Sequence, residues 1–113
     1  MQKLQPGKEF NDALIESIDE TITDLLGRAV VDALYAHLQK FHSVSRDELP
    51  HRLDALSPPL ERIFGVRGSQ TITKAIAKEF FLKLGLEFTD KPGHTLPEYV
   101  DEAKMKLQIS QSK

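Results

Sequence analysis

Apolar residues recur every three or four positions along most of this chain, and this spacing constrains its fold more than any other feature. The first apolar stripe runs through Phe10, Leu14, Ile18, Ile22 and the pair Leu25–Leu26. Residues at this spacing share one face of an α-helix. The pattern therefore predicts an amphipathic helix that begins near residue 9.

Gly27 interrupts the pattern, and a second stripe follows it. This stripe contains Val30 or Val31, Leu34, Leu38 and Phe41. One uninterrupted helix through Gly27 is the alternative, but a helix of more than thirty residues is unusual in a small domain. We therefore expect a break near Leu26–Gly27, and an end to the second helix at residues 43–45.

The middle of the chain carries signals for helix starts. Ser45 and Glu48 have the spacing of a capping box, which predicts a short helical turn over residues 46–49. Residues 51–56 fit either helix or loop. Ser57 precedes two prolines and is the expected N-cap of a helix that ends at Gly65, with Leu60, Ile63 and Phe64 facing inward.

A longer helix is expected next, with Ser69 as its N-cap and Gly85 as its end. Ile72, Ile76, Phe80 and Leu84 form its stripe, and Ala75, Ala77 and Phe81 flank them. This is the most apolar helix of the chain and the expected centre of the fold. A loop over 85–94 leads to a second capping box, and the last stripe contains Tyr99, Val100, Ala103 and Leu107.

These elements predict an all-α fold, a compact single-domain bundle of about five to six helices. Only residues 86–89 alternate in polarity, which is too short for a significant sheet. The 113 residues fit one domain, and the apolar fraction of 40% is typical of a folded protein. We expect a flexible leader over 1–8, a helical domain over 9–108 and a frayed C-terminus over 109–113.

The charge distribution gives no general attraction to nucleic acid or membranes. The formal net charge is −2. Residues 9–24 are acidic and residues 62–83 are mildly basic, which suits self-association or, as the favoured interpretation, ordinary solvated faces. No apolar stretch is long enough to cross a bilayer or resembles a signal peptide, so a cytoplasmic location is expected.

Residues for catalysis or ligand chemistry lack the required spacing. Cysteine is absent, which excludes disulfides and thiolate chemistry. The four histidines, His37, His42, His51 and His94, include no pair at the i, i+4 spacing of a metal site, and no serine lies in a GxSxG motif. We therefore predict no catalytic, metal or cofactor-binding residues, no cofactor, and a protein that is not an enzyme.

Two weaker patterns leave alternatives open. Residues 65–69 (GVRGS) combine glycines, an arginine and a serine at a helix start, the chemistry of an anion site, although a simple cap between helices is favoured. Lys74, Lys78 and Lys83 lie on a helix that two short helices precede, as in a helix-turn-helix. The apolar character of that helix and its Glu79 make nucleic-acid binding the second choice.

The order of several segments resembles the archaeal Nitrosopumilus output domain family. The segments are LGRAVVDALYAHL, VSRDELPHRL, PPLERIFG, KLGLEF and LPEYVDEAK, and the similarity covers residues 12–107. The resemblance implies an all-helical, cytoplasmic archaeal domain that acts in signal output through protein contacts. It implies no catalytic or binding residues, because the shared segments are structural.

The sequence thus favours a non-enzymatic interaction or signal-output module whose partner is a protein, either a second copy or a signalling protein. A nucleic-acid-binding domain and a small-molecule sensor with a cavity in the bundle are the alternatives. Phe81, Tyr99 and Tyr35 are the aromatic residues that could contact a partner. Burial in the core is the stronger expectation for all three, because aromatic residues at helical spacing usually lie there.

Overall fold

The computed structural model describes the backbone of residues 6–111 and the side chains of residues 9–107. Four α-helices, α1 to α4, and two short 3₁₀ helices, η1 and η2, follow one another within this range, which contains no strand. Their order is α1 (Pro6–Leu26), α2 (Arg28–His42), η1 (Arg46–His51), η2 (Leu53–Ala55), α3 (Ser57–Leu84) and α4 (Leu96–Gln111). The predicted all-α single-domain fold is confirmed.

Glycines separate the helices where the sequence indicates. Gly27 lies between α1 and α2 with φ 100° and ψ 158°, so the predicted break is confirmed. Gly85 ends α3 in the left-handed region, with φ 73° and ψ 24°. The start of α4 is also as predicted, because the Thr95 N–H donates to Glu98 Oε1 at 2.8 Å and the Glu98 N–H donates to Thr95 Oγ1 at 3.3 Å.

The two ends of the chain are more helical than the sequence suggests. Residues 1–5 of the predicted leader lie outside the described residues, and Pro6 to Lys8 form the start of α1. Helix α4 continues to Gln111, into the C-terminal segment expected to fray, and residues 112 and 113 lie outside the described range.

Helix α3 is kinked at Gly65, which has the non-helical angles φ 80° and ψ 170°. The kink divides α3 into a first segment (residues 57–64) and a second segment (residues 66–84). Residues other than glycine rarely adopt these backbone angles, because their Cβ atom makes the conformation strained. A Cβ at Gly68 would also approach the Phe64 Cβ to 2.8 Å, so the inside of the kink requires a second glycine.

The predicted serine caps of α3 are wrong at both positions. Ser57 is already helical, and the residue before it, Leu56, makes no side-chain cap hydrogen bond. Pro58 and Pro59 follow, and neither has a backbone N–H that could donate a hydrogen bond to a capping side chain. Ser69 is 3% exposed and lies a full turn inside the second segment, because Gly65 already supplies the non-helical residue before that segment.

The core forms where α1 packs against α3, with α2 on α1 and α4 on α3. Phe10 of α1 and Phe80 of α3 meet edge to face, with ring centroids 4.9 Å apart. The buried stripe of α1 consists of Phe10, Leu14, Ile18 and Ile22, and that of α3 of Ile72, Ile76 and Phe80. At the same contact, Lys83 Nζ lies 2.9 Å from Glu20 Oε1.

Aromatic side chains attach the loop between α3 and α4 to the core. Phe81 contacts Phe88 and Tyr99 edge to face, at centroid distances of 5.4 and 6.3 Å. The Tyr99 hydroxyl accepts from the Lys91 N–H at 2.9 Å and donates to the Lys91 carbonyl at 3.2 Å. Phe81 is 0% and Tyr99 2% exposed, so the expectation that they belong to the core is confirmed.

We expect Gly65→Ala to destabilise the fold by about 1–3 kcal/mol, because alanine cannot adopt φ 80° and ψ 170° without strain. Nothing lies within 4 Å of the added Cβ, so the loss comes from the backbone alone. Gly85→Ala is the matched comparison and should cost about 1 kcal/mol, since alanine tolerates the left-handed region better. Urea denaturation measures both, and equal losses would contradict the argument.

Candidate functional site

The four histidines of the chain do not come together at one site. His37 and His42 lie near the end of α2 with ring centroids 5.7 Å apart, and His51 is exposed on η1. His94 lies at the other end of the chain, 3.7 Å from Glu98 and 3.8 Å from Glu102. Among residues 9–107, no group of three or more His, Cys, Asp or Glu side chains is placed to hold a metal ion.

Two of the three lysines that suggested nucleic-acid binding are paired with carboxylates. Lys74 Nζ lies 2.9 Å from Asp90 Oδ2, and Lys83 pairs with Glu20 of α1. The hydrogen bond to Glu20 raises the pKa of Lys83. Only Lys78 of the three has no ion pair with the described residues. Lys83 of the basic segment therefore pairs with Glu20 of the acidic segment within the chain.

A polar pocket of about 470 Å³ lies between the second segment of α3 and the loop that precedes α4. Arg67 and Ser69 of the predicted anion site line it, but so do the carboxylates of Glu61 and Asp90. Carboxylates oppose the binding of an anion, and Asp90 already pairs with Lys74. The mixed charge of this lining argues against an anion site at residues 65–69, and Gly65 rather than Ser69 forms the junction between the two segments of α3.

Glu102 of α4 forms an ion pair with Lys91 of the same loop. Its carboxylate lies 2.9 Å from Lys91 Nζ and 3.3 Å from Lys106 Nζ, and its side chain is only 14% exposed. The hydrogen bond from Lys91, and then that from Lys106, lowers the pKa of Glu102. These ionisable groups therefore bind each other and fix the loop to α4.

Tyr35, the third aromatic residue singled out in the sequence, is half-buried and joins three elements. Its hydroxyl donates to Asp19 Oδ1 of α1 at 2.5 Å, and Arg46 of η1 donates to Asp19 Oδ2. Burial, followed by the hydrogen bond to Asp19, raises the pKa of Tyr35. The contact is internal, so Tyr35 connects α1, α2 and η1.

An apolar groove lies between α2 and the first segment of α3, and it is here called the α2–α3 groove. Its volume is about 480 Å³. Leu34 and Leu60, 5% and 1% exposed, form its floor. The remaining lining residues are Ala29, Val30, Ala33 and His37 from α2, and Pro59, Arg62, Ile63 and Phe64 from α3.

The rim of the α2–α3 groove exposes large apolar side chains. Ile63 is 64% exposed, which corrects the expectation that it faces inward with Leu60, whereas Phe64 is half-buried and packs against the core. Phe41 is not a lining residue but lies beside the groove, where it is 63% exposed and its ring centroid is 4.8 Å from that of His37. Single exposed apolar residues are common in soluble proteins, but a contiguous apolar concavity indicates a binding surface.

Arg62 and His37 are the ionisable residues that line the α2–α3 groove, and no carboxylate lines it. Arg62 makes no ion pair or hydrogen bond with any side chain in the described part of the chain. Lys40, one turn beyond His37, lies 5.3 Å from the Phe41 ring centroid. The lining of the groove is therefore apolar apart from His37 and the positively charged Arg62.

Comparisons with known proteins do not assign the site. No family model, curated protein or solved structure matches this chain. The resemblance to the Nitrosopumilus output domain family consequently stays a prediction. None of the helices in the described range is long and apolar enough to cross a membrane.

We expect Tyr35→Phe to destabilise the fold by about 1 kcal/mol, because it removes one hydrogen bond to a charged acceptor at a partly exposed position. Asp19 keeps its contact with Arg46, so the loss should stay below that of Asp19→Ala, which breaks both contacts. Urea denaturation of the two variants measures the difference. A Tyr35→Phe protein as unstable as Asp19→Ala would refute the shared role of Asp19.

The lowered pKa of Glu102 predicts a pH dependence. Its carboxylate stabilises the fold above the unfolded value of about 4.3, and this contribution is lost as pH falls through the lower folded value. Glu102→Gln should therefore be less stable than the wild type at pH 7 and lose less stability between about pH 5 and 3. Asp101→Asn, a neighbouring exposed position, is the control in urea denaturation at each pH, and parallel wild-type and Glu102→Gln profiles would contradict the assignment.

Proposed function

We propose that this chain is a non-enzymatic protein-interaction module whose docking surface is the α2–α3 groove. The observation that carries this proposal is an open apolar groove with Ile63 exposed at its rim. Such a surface gains free energy when a partner covers it, by about 25 cal/mol per Å² of apolar area.

The arrangement of polar groups supports a binding role rather than catalysis. The ionisable clusters around Asp19 and Glu102 consist of groups that pair with each other and join elements of the fold. A catalytic site needs polar groups that converge on an open cavity. The α2–α3 groove instead offers mainly apolar side chains, which suits a macromolecular partner.

The proposal extends to family and cellular role. We place the chain in the archaeal Nitrosopumilus output domain family, on the order and spacing of segments such as PPLERIFG and LPEYVDEAK. Membership would make the groove a cytoplasmic signal-output surface whose partner is a signalling protein.

A small-molecule ligand is the second candidate, and the groove volume favours it. A volume of about 480 Å³ lies within the range of small-ligand pockets, which is roughly 300–1,000 Å³. Such pockets are usually deeply enclosed, whereas this groove exposes Ile63 along its edge. The edge favours a partner larger than a metabolite.

We expect Ile63→Ser to abolish or strongly weaken the binding of peptides selected on the wild-type chain. The selection uses a display library of 15-residue peptides with leucines at helical spacing and all other positions randomised. Fluorescence anisotropy with purified protein then measures each affinity. A partner would bury the exposed Ile63 side chain, and because burial of an isoleucine contributes about 1.5–3 kcal/mol, its loss should weaken binding by about tenfold or more.

Leu82→Ser is the matched control for Ile63→Ser. Leu82 is 71% exposed on the second segment of α3, so both changes replace an exposed apolar residue of the same helix by serine. The control should bind like the wild type. Failure to enrich any peptide, or equal losses in both variants, would refute the groove as a docking surface. Binding of small molecules alone in a thermal-shift screen would favour the second candidate.

A further inference from the structure

We propose that the partner of the α2–α3 groove is an acidic amphipathic helix of another protein, with a carboxylate that pairs with Arg62. This inference rests on the proposed docking function and specifies the partner. Three features support it. Two helices form the groove, its charge is positive, and a second copy of this chain would place like charges on the shared surface.

The shape of the groove suits a helix. Two helices, α2 and the first segment of α3, form its walls, and side chains of a third helix can insert between such walls. The lining residues of α2 run from Ala29 to His37, which is about 12 Å along the helix axis and enough to contact about two turns of a bound helix. A bound helix presents its apolar anchors at i, i+3 or i+4, and i+7.

The charge of the groove selects the sign of the partner. Arg62 lines the apolar surface without an ion pair in the described range, and Lys40 adds a second cation near the exposed Phe41 ring. The carboxylates within the groove-forming stretches of α2 and α3 do not compensate Arg62. Asp32 pairs with Arg28 at 3.4 Å, and Glu61 lines the polar pocket instead. A carboxylate beside the apolar anchors of the partner would complement this rim.

A second copy of the chain fits this surface poorly. In a two-fold dimer the same patch faces itself, so Arg62 of one subunit would lie on the same surface as Arg62 of the other. No carboxylate lines the groove to offset these like charges. Two concave surfaces would also leave a void between them. An acidic helix from a different protein avoids both costs.

The experiment uses the full chain and the display library of leucine-patterned 15-residue peptides described above. We expect the selected peptides to carry Asp or Glu next to the apolar stripe. Arg62→Glu should weaken their binding about three- to tenfold, in the range of a partly exposed charge pair at an interface. Replacing the peptide carboxylate by lysine should restore binding to Arg62→Glu while weakening binding to the wild type.

Arg67→Glu is the matched control for Arg62→Glu. It makes the same charge change five residues away on the same helix, and Arg67 lines the polar pocket rather than the groove. Its binding should change by less than about twofold, as expected for a charge outside the interface. Circular dichroism and thermal melting confirm that both variants fold, and rescue by the charge-reversed peptide excludes a general loss of structure.

The possible failures are distinguishable. Peptides that need Ile63 but show no acidic bias and bind Arg62→Glu normally would overturn the acidic partner and leave the docking function in place. If the selection yields no peptide whose binding depends on Ile63, both the acidic partner and the docking function are overturned. Dimerisation of the wild type in sedimentation at micromolar concentration, abolished by Ile63→Ser and not by Leu82→Ser, would identify a second copy as the occupant and refute the inference.

Discussion

The packing of α1 against the second segment of α3 is the contact on which the other elements depend. It contains the buried stripes of both helices, the Phe10–Phe80 ring contact and the Lys83–Glu20 ion pair. Most of the stabilisation comes from apolar burial, since an exposed ion pair contributes at most about 1 kcal/mol. Helix α2 packs chiefly on α1, and α4 packs on α3. The outer face of α2 is therefore left without a long helical neighbour.

The kink at Gly65 determines what lies beside that face. Within α3 it turns the first segment away from the axis of the second, so that Leu60 reaches the core while Ile63 stays 64% exposed. Full burial of an isoleucine contributes about 1.5–3 kcal/mol, most of which Ile63 forgoes in the isolated chain. Because glycine adopts these angles without strain, the kink itself costs little. The groove is thus a stable consequence of the backbone rather than of a strained side chain.

The sequence predicts the helices well because their periodicity and punctuation are local. The apolar stripes, the breaks at Gly27 and Gly85 and the capping box at Thr95 all depend on residues within a few positions of each other. The contacts of Asp19 with Tyr35 and of Glu20 with Lys83 join residues 16 and 63 positions apart. No local pattern specifies such pairs, which is why the charged segments suggested solvated faces or self-association.

The docking surface was not predicted for a related reason. Leu60, Ile63 and Phe64 lie on one face of a helix, and periodicity identifies that face as apolar. Periodicity does not specify how much of that face another element of the fold covers. Here the core covers Leu60, and the short first segment ends before any further helix can cover Ile63. Only the three-dimensional arrangement separates a core position from a binding position.

Apolar and charged residues of the groove have different consequences for a partner. Leu34 and Leu60 are already buried and gain little when the groove is covered, so the gain in free energy comes from Ile63 and the exposed part of Phe64. Arg62 adds less affinity because solvent screens an exposed charge, but it disfavours basic partners and accelerates association with acidic ones. Affinity therefore depends on the apolar rim and selectivity on the cation. A surface with only the first property would bind apolar helices indiscriminately, so in the proposed docking function Arg62, which has no ion pair in the described range, supplies the selectivity.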